Sequence, residues 1–253
     1  MDKNLLKKLA AEKAVEEIKD GMIIGLGTGS TAKFAIEKIA KKIREGHLNN
    51  IYGIPTSKRT EELAINLGIP VMSLNEIYLK NQNSKPIDIT IDGADEVDTD
   101  LNLIKGGGGA LLREKVIAQN TKKFLVVVDE SKLSNRLGKN FSVPIEVIQF
   151  AFESEKNYLK SLGAEVKVRK NENDEFYVTD EGNYILDVNF GEIENPAELA
   201  NKLNERAGIV EHGIFLNDLV DSVYCSFHDG VRIFSRSNSG ESTRNEFHAD
   251  GRR

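Results

Sequence analysis

The chain has 253 residues, of which 40% are hydrophobic and 29% charged, with a formal net charge of −6. That length supports one large domain or two modest ones around a real core, and the acidic balance excludes the basic face that bulk nucleic-acid binding needs. Every apolar run falls short of the ~20 residues that span a bilayer, so neither nucleic acid nor membrane is an expected partner.

Apolar positions at helical spacing (Leu5, Leu6, Leu9, Val15, Ile18) predict a helix over residues 5–19. A short strand at 22–24 runs into Gly25-Leu-Gly-Thr-Gly-Ser-Thr31, and a helix follows with Phe34, Ile36 and Ile39 on one face. Strands are expected at 51–54, 70–72, 87–91 and 124–128, and helices at 61–67 and 110–119. Strands alternating with helices imply a parallel sheet covered on both faces.

After Pro144 the pattern changes. Strands at 145–148, 166–169, 176–179 and 184–188 are joined by turn-rich pieces, with helices at 154–162 and 196–206, the second capped by Asn195. This is a smaller α+β unit, placed at 143–207 and inserted between residues 1–142 and 208–234 of an α/β catalytic domain. The segment 209–216 and a strand at 222–227 are expected to return to the larger domain. Residues 235–253 carry one large apolar residue, Phe247, and read as a disordered tail resembling sequence added in cloning.

Three glycine-punctuated motifs carry the chemistry. Gly25 to Thr31 joins a strand to a helix, so its N–H groups and hydroxyls sit at a helix N-terminus, which attracts anions. A plain capped turn explains it equally well. It lacks the third glycine and distal acid of a dinucleotide site and the Gly-Lys-Ser/Thr of a P-loop. Asp92-Gly-Ala-Asp-Glu96 ends a strand of alternating isoleucines, where open α/β sheets bind ligands. Its acids fit a turn, a magnesium site, or a grip on sugar hydroxyls. Lys105-Gly-Gly-Gly-Gly109 is followed by Arg113-Glu114-Lys115.

Glu114 is the sharpest of these residues. Its helical neighbours Ala110, Leu111, Ile117 and Ala118 are all apolar, and a carboxyl there is either paired and structural or a base of raised pKa. Arg113 and Lys115 point elsewhere and read as surface or interface charges. Lys105 is either a solvated lysine or a cation held where negative charge develops. Lys132, in Asp129-Glu-Ser-Lys132, lies at the same sheet edge. One cysteine, Cys225, excludes an internal disulfide framework, and with the polar start of the chain it fits a cytoplasmic protein. The scattered histidines 47, 212, 228 and 248 form no ligand spacing.

Taken together these motifs resemble the A-type ribose-5-phosphate isomerase family over roughly residues 5–234, with Val143-Pro-Ile-Glu-Val147 and Gly208-Ile-Val-Glu-His-Gly-Ile-Phe215 as further matches. The run Val223 to Gly230 is less apolar than the family's closing strand. The resemblance implies a Rossmann-like, mostly parallel sheet flanked by helices, with a smaller inserted ferredoxin-like α+β domain. It implies interconversion of D-ribose 5-phosphate and D-ribulose 5-phosphate in the pentose phosphate pathway, through an enediolate, without metal or cofactor, by a homodimer or homotetramer. In that reading Glu114 is the base and Lys105 stabilises the enediolate oxygen. Asp92 and Asp95 hold hydroxyls and assist ring opening. Ser30, Thr31, Lys132 and Lys7 bind the phosphate, and Thr28, Gly29, Gly93, Ala94, Gly106, Gly107 and Gly108 complete the substrate site. A non-catalytic sugar-phosphate sensor would want a separate DNA-binding module. An amino-sugar-phosphate deaminase would want a site histidine, and none lies between His47 and His212.

Overall fold

The computed structural model describes residues 2–80 and 83–236. The larger unit is assembled from α1 (Lys3–Val15), β1 (Ile23–Leu26), α2 (Ser30–Arg44), β2 (Tyr52–Pro55), α3 (Lys58–Asn66), α4 (Leu74–Lys80) and β3 (Ile87–Asp92). It continues through β4 (Glu96–Val97), β5 (Leu103–Ile104), α5 (Leu111–Gln119) and β6 (Thr121–Asp129). The smaller unit holds β7 (Val143–Val147), α6 (Phe152–Ser161), β8 (Glu165–Val168), β9 (Tyr184–Asn189), α7 (Pro196–Asn204) and β10 (Ile209–His212). β11 (Ile214–Phe215), β12 (Ser222–Phe227) and β13 (Gly230–Ser235) end the described chain.

The main sheet has the order β13-β12-β6-β3-β1-β2, parallel throughout except for the antiparallel edge β13. Its inner strands are near-continuous apolar runs because both faces are covered: Phe124 to Val128 of β6 are all buried. β12 is buried at every residue despite its serines and tyrosine; Tyr224 reaches out to Glu17 and Ser226 bonds the carbonyl of Val128. The chain leaves β1 towards β2 and returns to β3, so strand order reverses between β1 and β3. In open α/β sheets that reversal opens a crevice at the carboxyl ends of the strands.

The smaller sheet has the order β10-β7-β9-β8, antiparallel at every pairing. With α6 and α7 it makes the βαββαβ ferredoxin-like arrangement. β10 pairs with β7, so this sheet takes its edge strand from residues the sequence reading returned to the larger domain. β11 pairs instead with β5 in a three-stranded ribbon with β4.

Several local expectations differ. α1 stops at Val15 because residues 16–18 close tight three-residue turns; Ile18 is core without being helical. Residues 70–72 and 176–179 make only isolated bridges, Val71 to Gly53, Phe176 to Lys170 and Val178 to Tyr184. Ser235, expected to open the tail, is the last residue of β13 and faces Ser222, the hydroxyls 2.9 Å apart. The rest of the expected tail, from residue 237 on, lies outside the described residues. Among the described residues no helix is long and apolar enough to cross a membrane.

Candidate active site

At the crevice between β1 and β3, every expected site residue except Asp92 lines one cleft of about 120 Å³. Asp92 lies beneath it and anchors the floor. Its Oδ1 accepts from the Thr28 N–H (3.0 Å) and the Gly93 N–H (2.7 Å), and its Oδ2 stands 2.9 Å from Lys105 Nζ. The β1 loop approaches so closely that a Cβ at Gly27 would fall 2.3 Å from Asp92 Oδ1, which is why glycine stands there. Lys105 is 2% exposed, donates to the carbonyl of Gly93, and lies 3.5 Å from Glu114 Oε2. Asp95 Oδ2 accepts from the Gly107 N–H at 2.7 Å. Gly106 turns the loop at φ +95°, a conformation that favours glycine.

Glu114 is held by the first turn of α5, at 4% exposure. Its Oε2 has no hydrogen-bond partner; Lys105 is near enough to attract but not to bond it. Burial, reinforced by the neighbouring Asp92 and Asp95 and opposed by Lys105, pushes its carboxyl up to about 8. Burial likewise raises Asp92, against the pull of Lys105 and two N–H donors. On Lys105 burial opposes the charge, but Asp92 and Glu114 outweigh it and raise its pKa. The floor is thus a buried cation among carboxyls, one of which retains a proton near neutrality.

That has a consequence for stability. An ordinary glutamate ionises near 4.5, and Glu114 in the fold near 8. Between those values the unfolded chain has released a proton the folded chain keeps, so this group costs stability progressively as pH rises through that window. Glu114→Gln removes the cost. The variant's Tm relative to the parent is expected to be more favourable at pH 8 than at pH 5; a difference that shrinks with pH would contradict the assignment.

At the other end of the cleft α2 begins at Ser30. Its cap is Gly29, with no side chain to satisfy the first-turn N–H groups, so these donors and the positive end of the helix dipole are available to an anion. Lys7 Nζ donates to Ser30 Oγ at 2.9 Å, and Lys132 and Lys3 complete the rim. Lys3 was not among the expected residues; its spacing of four from Lys7 on one helix was the available signal. Thr28 is fixed by a hydroxyl cluster, its Oγ1 lying 2.8 Å from Thr56 Oγ1, 2.8 Å from Ser57 Oγ and 3.0 Å from Thr60 Oγ1.

Glu96 and Lys115 differ from expectation, whereas Arg113 takes the interface role expected of it. Glu96 faces away from the cleft, accepting from Gly138 and Asn140 N–H groups. Arg113 does pair at an interface, with Glu181 of the smaller unit. Lys115 is buried, not a surface charge. Its ammonium bonds Glu211 and the carbonyl of His212, and burial lowers its pKa. α5 is covered on more than one side, which the pattern of a single helix face does not reveal.

The family model of ribose 5-phosphate isomerase A (phosphoriboisomerase A) matches residues 52–230. Ribose-5-phosphate isomerase A of Desulfatibacillum aliphaticivorans is 53% identical over 227 residues, covering 90% of this chain and 95% of that one. A probable chloroplastic ribose-5-phosphate isomerase 3 of Arabidopsis thaliana is 46% identical, with 91% and 83% covered. A solved D-ribose-5-phosphate isomerase in complex with phospho-erythronic acid superposes with a TM-score of 0.88 at 40% identity, covering 93% of this chain and all of that one.

Proposed function

The chain belongs to the ribose 5-phosphate isomerase A family, and from that premise we propose that it interconverts D-ribose 5-phosphate and D-ribulose 5-phosphate through an enediolate, with Glu114 as the base. The observation that carries the mechanism is the buried Glu114 carboxyl, with an oxygen free of hydrogen bonds, 3.5 Å from a buried ammonium. The phosphate docks on the uncapped start of α2 with Lys7 and Lys132, which fixes the sugar's direction along the cleft. Asp95, oriented by Gly107, takes a sugar hydroxyl and assists ring opening.

In the open-chain aldose the ionised Glu114 removes the proton on C2. The C–H electron pair becomes the C1–C2 double bond, and charge moves onto the former aldehyde oxygen. Lys105 stabilises that oxygen. The proton on O2 passes to the O1 oxyanion, so that O1 becomes the C1 hydroxyl. The O2 electron pair forms the C2 ketone as the C1–C2 double bond takes the proton back from Glu114 at C1; no proton is gained or lost overall. A divalent ion has no evident place on this floor. Asp92 is already occupied by two N–H groups and an ammonium, and among the described residues no group of three or more metal-ligating side chains converges.

The protein is therefore expected to convert ribose 5-phosphate to the ketose at undiminished rate in EDTA. Activity lost in EDTA and restored by a divalent ion would refute the metal-free mechanism, and no conversion under any condition would refute the reaction. Phospho-erythronic acid, which a solved relative binds, is the natural inhibitor to test: its planar carboxylate beside a hydroxylated carbon resembles the enediolate. The expected cytoplasmic location rests on composition and Cys225, and the chloroplastic name of the Arabidopsis relative shows that the family is not tied to one compartment.

A further inference from the structure

The glycine loop of the cleft is gripped from outside by the smaller unit. Arg169, just beyond β8, donates through Nη1 to the carbonyls of Gly106 (2.8 Å) and Gly107 (3.2 Å). Its Nε bonds Asp187 Oδ2 at 2.9 Å and its Nη2 bonds the other Asp187 oxygen. The Arg169 side chain is largely buried, 12% exposed. Next along the loop, Tyr177 Oη contacts the Gly108 carbonyl at 3.4 Å. The smaller unit therefore contacts three successive carbonyls, and the Gly106 carbonyl also accepts from the Gly109 N–H at 2.9 Å, closing a turn that Arg169 braces from outside.

A trans peptide directs its C=O and the following N–H to opposite sides. With the Gly106 carbonyl on Arg169, the Gly107 N–H must point back into the cleft, and there it meets Asp95 Oδ2 at 2.7 Å. With the Gly107 carbonyl on Arg169, the Gly108 N–H is turned the same way. It bonds no acceptor among the described residues, while Gly108 itself lines the cleft. A guanidinium on a carbonyl also polarises the peptide and sharpens its N–H as a donor. Arginine suits the task because its planar fork serves a carboxylate and two carbonyls at once.

We propose that Arg169, braced by Asp187, is a positioning residue of the site: it sets the Gly106–Gly107–Gly108 peptide planes so that one N–H orients Asp95 and the next is offered to an oxygen at the sugar end of the substrate. The smaller unit thereby enters the chemistry without touching the substrate. This rests on the isomerase reading above for its substrate, but not for its geometry.

The test compares two ligands that occupy the cleft differently. Inorganic phosphate reads the α2 end alone; phospho-erythronic acid reads both ends. Arg169→Met is expected to weaken phospho-erythronic acid at least about tenfold, leave inorganic phosphate within about twofold, and lower kcat for ribose 5-phosphate about tenfold. Arg169→Lys keeps the charge and serves if the methionine variant does not fold. One ammonium cannot span Asp187 and two carbonyls, so it too is expected to lose the phospho-erythronic acid selectivity. Equal losses for both ligands, no loss for either, or full recovery in Arg169→Lys would overturn the proposal. If the parent failed to isomerise ribose 5-phosphate, the reaction would fall while the two affinities still reported on the loop.

Discussion

Glu114→Gln is expected to lower kcat by at least about a hundredfold, the lower end of what a positioned general base contributes, with much less change in KM. Glutamine keeps the volume and the amide can still meet Lys105, so the floor of the cleft stays packed, but it cannot accept a proton. The parent carboxyl sits near 8, so the ionised fraction that acts as base falls about tenfold for each pH unit below that value. The acid limb of kcat/KM in the parent is therefore expected near pH 8 and should vanish in the variant. Exchange of the C2 proton with solvent deuterium should stop as well, since removal of that proton is the step withdrawn. Near-normal turnover in Glu114→Gln, with loss of activity in Asp92→Asn or Asp95→Asn, would move the base to an aspartate.

How far such roles can be read without coordinates depends on the range of the interaction. The burial of Glu114 is legible because everything that isolates it is local: four apolar neighbours on its own helix and a glycine loop before it. The same holds for the strand ends at Leu26 and Asp92, where strand pattern and glycines announce loops facing the same edge. Arg169 had no such signal. It acts 62 and 63 residues away in sequence, and a lone arginine after a strand is indistinguishable from a surface charge. The burial of Lys115 is hidden for a related reason: the helix pattern marks one apolar face, but β10 and its turn cover another, and Glu211 supplies the counter-charge from 96 residues on. The apolar segment 209–216 is expected as one piece of the larger domain, yet it divides: β10 pairs with β7 and β11 with β5, because an apolar run does not say which partner it pairs with. α4 has one buried residue, Ile77, over seven positions, too little periodicity to register.

Lys105 and Lys132 are both cations of the same cleft, and their substitutions are expected to fail in different ways. Lys105 is buried, bonded to Asp92 and beside Glu114, where charge appears on the substrate oxygen only as the C2 proton leaves. Its contribution is largest in the transition state, so Lys105→Ala should lower kcat by ~10²–10³, as for loss of an oxyanion donor. Removing it also strands two buried carboxyls without a counter-charge, a defect of about 3–5 kcal/mol for a broken buried pair, so kcat must be compared well below the variant's Tm. Lys132 is half-buried at the rim with its ammonium 5.9 Å from the Phe141 ring, and among the described residues no carboxylate lies within bonding distance of it. A phosphate it binds is equally charged in substrate and transition state. Lys132→Ala should therefore raise KM about tenfold or more, the worth of a charge-assisted hydrogen bond, and leave kcat nearly unchanged. Steady-state kinetics on the two variants separates the roles; a kcat defect in Lys132→Ala with a pure KM defect in Lys105→Ala would mean the phosphate lies over Lys105 and the sugar runs along the cleft in the opposite direction.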